Sequence, residues 1–375
     1  MNLADMLSYA DIGQLTTIAS HYQCQCKRNS KHELIQSILV TLNRREFIAQ
    51  QVNTVSLQDL RFLNSVLFDS RSYYSVEDLA AVVRQTTFDL PANEVHETPR
   101  EAIARYKRSG WLFNGMTPST KYLFQMPSDL KDRFRAELGH ALKRKVVKSG
   151  EPPVYREEQD LCAEDLMYML KYVNQQEIEL NQEFVMYKRY QQQLMDMFHV
   201  SEPLLTKGGW RFGYGRSFNA YPNRMALLYD YAFYHRYIEE NGSRLELSGK
   251  GAELLESGTK ESMVQIFRFW LKLYKSAIPN LASLVYWTGE CAKEWVTAAS
   301  LHDALGWLIK PFYYDTAESI LNERIIAMMM HLGLIRIGES PESGMVLKMT
   351  AFGQKLASKS LNLGSGELEP LIDKS

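Results

Sequence analysis

The chain is poor in the features that would place it in several large classes. Four cysteines in 375 residues (Cys24, Cys26, Cys162, Cys291) are too few for a disulfide-stapled secreted scaffold. No run of eighteen apolar residues occurs, so no membrane span is expected. Met1-Asn2-Leu3-Ala4-Asp5 has neither a basic start nor a long apolar run, so no signal peptide and a cytoplasmic location are expected. Charge of one sign is lacking too. The net charge of −1 gives no global field toward nucleic acid or anionic lipid. Catalytic motifs are missing as well. No Gly-x-x-x-x-Gly-Lys-[Ser/Thr] loop is there to cradle nucleotide phosphates, and Gly258-Thr259-Lys260 fails the spacing. Neither Gly-x-Ser-x-Gly nor His-Glu-x-x-His occurs, and the eight histidines are scattered. These absences point to a protein that is not an enzyme and needs no cofactor. His21, Cys24, Cys26 and His32 invite a zinc reading, but their spacing fits no standard knuckle, so no metal is expected.

What is present is an ordinary folded composition and an internal repeat. Hydrophobic residues make up 45% and charged residues 23%, enough apolar content for a sizeable core. Leu245-Glu246-Leu247-Ser248, Gly251 and Leu254 match Leu347-Lys348-Met349-Thr350, Gly353 and Leu356, 102 residues later. Each copy follows a helix pattern and a first strand: Asn223 to His235 then Tyr237-Ile238, and Ser319 to His331 then Leu334 to Ile337. A helix followed by a two-stranded wing is the winged-helix form of the helix-turn-helix. The fold class expected is mainly α with short β-hairpins: tandem winged-helix domains behind a small helix-extended-loop-helix unit.

Residues 1–50 form that first unit. Helices run over Leu15 to Tyr22 and Leu34 to Leu42, with Ser30 placed to cap the second. Leu-x-x-Ile-Ala followed by Lys-x-Glu-Leu-Ile-x-x-Ile-Leu resembles the SAP helix-extended-loop-helix family, which implies a DNA-docking role. Residues 51–146 read as winged-helix domain 1, with helix starts at Ser56, Ser75 and Thr98 and a hairpin of Trp111 to Phe113 with Tyr122 to Phe124. Val147 to Pro153 reads as a linker. Residues 154–258 are domain 2, with helices over Cys162 to Val173, Gln182 to Phe198 and Asn223 to His235. Ile178-Glu179-Leu180 there is placed to pair with the wing. Residues 259–360 are domain 3, with an added helix over Ser262 to Lys275, and 361–375 are a flexible tail. Leu161 to Phe198, Tyr237 to Leu255 and Leu334 to Leu356 together resemble the helicase-associated region of the XPB-like helicase family. That resemblance implies an accessory chain without the ATPase core.

Local charge supplies the candidate contacts. Residues 101–150 hold 11 Lys and Arg against 4 Asp and Glu, whereas 151–200 hold 4 against 10. In Thr206 to Arg224, Lys207, Arg211, Arg216 and Arg224 interleave with Trp210, Phe212 and Tyr214, so cations could meet phosphates while aromatic faces stack on bases. The alternative is an insertion whose aromatics pack into core. Lys143, Arg144 and Lys145 end a basic helix that could touch phosphate or be a solvated face. Arg105, Lys107 and Arg108 sit on the third helix of domain 1, and Lys27, Arg28 and Lys31 in the helix-extended-loop-helix turn. The helix before the last wing is too apolar to read bases, so domain 3 is expected to bind protein. The reading is a DNA-binding accessory protein acting with a helicase or transcription machinery. The alternative is a protein–protein scaffold of winged helices without nucleic-acid contact.

Overall fold

Short polar caps start most of the helices. The computed structural model describes residues 1–89, 97–205, 215–216 and 218–359. It is mainly helical with small antiparallel sheets. The chain forms two compact units, Met1–Lys145 and one that begins at Val146.

In unit 1, Asn2, Asp11 and Ser30 accept from backbone N–H groups at the starts of α1 (Leu3–Tyr9), α2 (Ile12–His21) and α3 (Lys31–Leu42). Then come α4 (Arg45–Thr54), α5 (Leu57–Leu67), α6 (Val76–Gln85) and α7 (Pro99–Arg108). Ser75 with Asp78 and Thr98 with Glu101 are reciprocal capping boxes. The hairpin β1 (Phe113–Asn114) and β2 (Phe124–Gln125) leads into α8 (Ser128–Lys145). Tyr74 bridges to Phe124, so it lies on the far side of β2 from β1. Phe62, Tyr106, Trp111 and Phe134 stack through the core, with centroids 4.0, 5.5 and 5.1 Å apart in succession.

Unit 2 repeats the order twice. The first pass is α9 (Leu161–Gln175), β4 (Ile178–Glu179), α10 (Lys188–Met197), α11 (Asn223–Tyr234), β5 (Ile238–Asn241), β6 (Arg244–Leu247) and α12 (Gly249–Ser257), preceded by β3 (Tyr155–Arg156). After α13 (Met263–Tyr274) come α14 (Leu281–Cys291), β7 (Val296–Thr297) and α15 (Ala298–Leu305). Next, α16 (Ala317–Ser319) runs through a π-helical stretch, Ile320–Ile326, into α17 (Ala327–His331). The hairpin β8 (Ile335–Ser340) and β9 (Gly344–Met349) and then α18 (Ala351–Lys359) close the described chain. The sheets run β4-β6-β5 and β3-β8-β9-β7, so in each pass the early short strand lies beside the last strand of the hairpin.

The repeated signature has one physical cause in both copies. The preceding helix ends on a left-handed residue, Arg236 (φ 58) or Gly333 (φ 69). Ser248 and Thr350 then cap the helix after the wing, accepting from Gly251 N at 3.0 Å and Gly353 N at 2.9 Å. Their hydroxyls donate back to the carbonyls of Arg236 and Gly333. A Cβ on Gly251 would lie 2.2 Å from the Tyr237 carbonyl, and one on Gly353 2.0 Å from that of Leu334, so only glycine fits.

Three segments differ from the sequence reading. Val147 to Pro153, expected as a linker, is folded onto unit 2: Val147 N donates to Ser300 Oγ at 2.9 Å, and Ser149 N to the Trp295 carbonyl at 2.8 Å. β3 pairs with β8, 180 residues later, because Gly338 leaves room for Pro152 and Arg336 holds Glu157 at 2.6 Å. The helix expected from Gln182 starts at Lys188. Before it, Asn181 Oδ1 accepts from Glu183 N and Val185 N and closes a tight turn, with Phe184 at φ 58.

Candidate nucleic-acid interface

The third helices of the three passes, α7, α11 and the stretch from α16 to α17, differ in what they expose. On α7, Ala102, Ile103 and Tyr106 are buried, while Arg100, Glu101, Ala104 and Arg108 are exposed. Arg100, Ala104 and Arg108 recur every four residues and form one stripe along the helix, beside Glu101, which is engaged in the capping box with Thr98. Lys107 is half-buried with its Nζ 5.5 Å from the centre of the Phe124 ring, beside the wing. The loop between β1 and β2 is stapled by Gly115 N to the Leu123 carbonyl at 3.0 Å and Thr117 N to Thr120 Oγ1 at 3.1 Å. It presents exposed Lys121 and Tyr122, the latter 74% exposed.

In unit 2 the equivalent helices face inward. Every residue from Arg224 to Ala232 on α11 is buried, and the helix packs against α9, α13 and α17. From Ala317 to His331 the only exposed residues are Glu318 and Glu323, both acidic. The wing of β5 and β6 carries Glu239, Glu240 and Glu246.

Arg224, expected to touch nucleic acid, is 0% exposed and turned into the protein. Its guanidinium lies 2.6 Å from Glu158 and 2.6 Å from Asp165, and its amide donates to Glu202 at 2.8 Å. His331 completes the cluster, with Nδ1 3.0 Å from Glu158 and Nε2 3.6 Å from Glu202. Burial works against a charged imidazole there, but the hydrogen bonds and charges of both glutamates outweigh it and raise the pKa. Burial likewise opposes ionisation of Glu158, yet His331, Arg224 and Arg156 hold its pKa below the ordinary value. The cluster ties α11 to α17 by groups that complete one another's charge.

The other expected contacts divide into engaged and exposed groups. Arg216 forms a two-pronged pair with Glu240, 2.6 Å at each prong, with its guanidinium 4.1 Å from the Phe233 ring centre. Arg105 is bonded to Glu97 at 2.7 Å and Asp59 at 2.8 Å, which raises its pKa. Arg108, Arg144, Lys145, Arg28 and Lys31 are exposed, Lys143 is half-buried, and the Lys27 ammonium lies 4.0 Å from Glu33, whose carboxylate accepts from the Lys27 amide at 3.1 Å. Lys207, Trp210, Arg211, Phe212 and Tyr214 lie outside the described residues. Cys24 Sγ is 3.5 Å from Thr41 Oγ1, and among the described residues no group of three or more His, Cys, Asp or Glu could hold a metal ion.

Sequence reasoning missed Asp230. It is buried beneath Gly215 and Arg216, accepts from Arg216 N at 2.9 Å, and is pushed by burial to a pKa of about 7. Its signal, a lone acid in Met225 to Tyr234, is visible only once that helix is known to be buried on all sides. Among the described residues no helix is long and apolar enough to cross a membrane. No family model, curated protein or solved structure matches the chain.

Proposed function

We propose that this chain is a non-catalytic accessory protein that binds DNA through unit 1 and a protein partner through unit 2. The order helix, short strand, helix, helix, two-stranded hairpin, with the first strand beside the last, supports reading all three passes as winged helices. In that fold the third helix enters the major groove and the wing meets the backbone. One observation carries the reading: α7 exposes Arg100, Ala104 and Arg108 in a line, with Lys121 and Tyr122 on the wing behind it. A small residue between two arginines permits close approach, and neither arginine has an ion-pair partner among the described residues. The partner of unit 2 would be the helicase or transcription machinery that the resemblance to helicase-associated regions implies.

Fluorescence anisotropy with a labelled duplex across a salt series tests this. Binding should weaken linearly in log–log form with salt, and Arg100→Ala with Arg108→Ala should lower the slope by about 2. Binding insensitive to salt and to both substitutions would refute it. A second reading, a scaffold without nucleic-acid contact, draws support from the burial of α11. It requires that no oligonucleotide bind at low salt.

A further inference from the structure

We infer that the turn between α2 and α3 and the exposed face of α7 form one composite surface that grips a single DNA duplex. The inference rests on the reading that unit 1 binds DNA. It starts from where two helices end. The hydroxyl of Tyr22, the residue that closes α2, donates to the carbonyl of Ser109, the residue that closes α7, at 2.5 Å. Gly110, left-handed at φ +67, lies so close to α2 that a Cβ there would meet Ile18 at 3.3 Å. The Tyr22 ring also packs edge-on against Phe47 on α4, 5.1 Å between centres. These contacts fix the two helix ends against each other.

Charge follows from that placement. Burial lowers the pKa of His21, and the charges of Arg108 and Arg105 lower it further, so the end of α2 lies within the field of the α7 cations. From His21 and Tyr22 the chain passes directly into Gln23 to Ser30 and the start of α3, which carry Lys27, Arg28 and Lys31. All three are exposed. Among the described residues the one ion pair they make, Lys27 with Glu33 at 4.0 Å, joins exposed groups, while the Lys27 amide donates to the same carboxylate at 3.1 Å. Cations on the turn and cations on α7 therefore flank one pair of joined helix ends.

Its geometry favours a duplex over a single strand. A helix with its side chains is about 10–12 Å across, which fits a major groove about 12 Å wide, and Arg100 and Arg108 lie about 12 Å apart along it. With α7 in the groove, the turn beyond its C-terminal end reaches the flanking phosphates.

The test uses the full chain, a labelled 20-base-pair duplex and one of its strands, by anisotropy across a salt series. The triple variant Lys27→Ala, Arg28→Ala, Lys31→Ala should bind the duplex about tenfold or more weakly, with a salt slope lower by about 2 to 3. Tyr22→Phe removes only the hydroxyl that joins the helix ends. On that background the triple substitution should cost less than on the wild type, because the turn is no longer held in place. If the triple variant binds like wild type while Arg100→Ala with Arg108→Ala binds poorly, the composite surface is wrong and the DNA reading stands. Wild-type protein that binds neither oligonucleotide refutes the DNA reading itself. Equal affinity for the single strand overturns the assignment to a duplex. Unchanged circular dichroism in each variant confirms that folding is not the cause.

Discussion

Unit 1 and unit 2 use the same succession of helices and hairpins and bury opposite parts of it. Unit 1 carries 19 Lys and Arg against 15 Asp and Glu, and the rest of the chain 24 against 29. In unit 1 the third helix keeps a polar stripe at the surface. In unit 2 both third helices turn toward each other around Arg224, Glu158, Asp165, Glu202 and His331. A module that spends its third helix on internal packing has no polar helix face left for base edges. Repetition of a fold therefore does not imply repetition of a function.

The largest effect should come from breaking that packing. Arg224→Met leaves Asp165 buried without its cation and leaves Glu158 to Arg156 and His331 alone, and should destabilise unit 2 by about 3–5 kcal/mol. Urea unfolding measures it, and DNA affinity of the still-folded chain should not change. A loss of affinity with retained folding would erase the contrast between the units.

Next in size is Ala104→Glu, which places an acid between Arg100 and Arg108. Duplex affinity should fall more than about tenfold, because like charge faces phosphate, while stability should move by no more than about 0.5 kcal/mol at this exposed site. Glu323→Lys, at an exposed position of the π-helical stretch, should leave affinity within about twofold by the same reasoning. Equal responses at these two helices would mean the stripe on α7 is not special.

His331 gives a pH test confined to unit 2. Its pKa is raised on folding, so its contribution is full below its unfolded value of about 6.5 and is lost as pH rises through the folded value. His331→Gln should therefore lower the melting temperature most near pH 6 and least near pH 9. A pH-independent penalty would mean the ring is held uncharged.

A second pH effect in unit 2 concerns Asp230. Its folded pKa of about 7 lies above the unfolded value, so unfolding releases a proton and stability falls as pH rises between about 4 and 7. Asp230→Asn should remove that fall, gaining stability at pH 8 relative to wild type. Parallel melting curves at pH 5 and 8 for the two proteins would contradict the burial of a costly carboxylate.

Local structure was legible where it depends on neighbours in sequence. Ser30, Ser75 and Thr98 announce their helices because a cap and its N–H partner lie three residues apart. The pair of β4 with the wing was readable from Ile178-Glu179-Leu180 beside Leu245. The pairing of β3 with β8 and the union of Arg224 with His331 were not, because each joins residues more than 100 apart by chain position. One warning was available. Met225 to Tyr234 is hydrophobic nearly all round, and such a helix is buried rather than laid in a groove. Arg224, beside it, was read by its charge alone, whereas its burial decides its role.

The account's central claim is that DNA meets unit 1 and not the third helices of unit 2. Photo-crosslinking the full chain to a duplex substituted with 5-iododeoxyuridine, followed by peptide mapping, tests it directly. Crosslinked peptides should fall within residues 21–31 and 98–122. Crosslinks concentrated in 223–247 or 317–349 would contradict it.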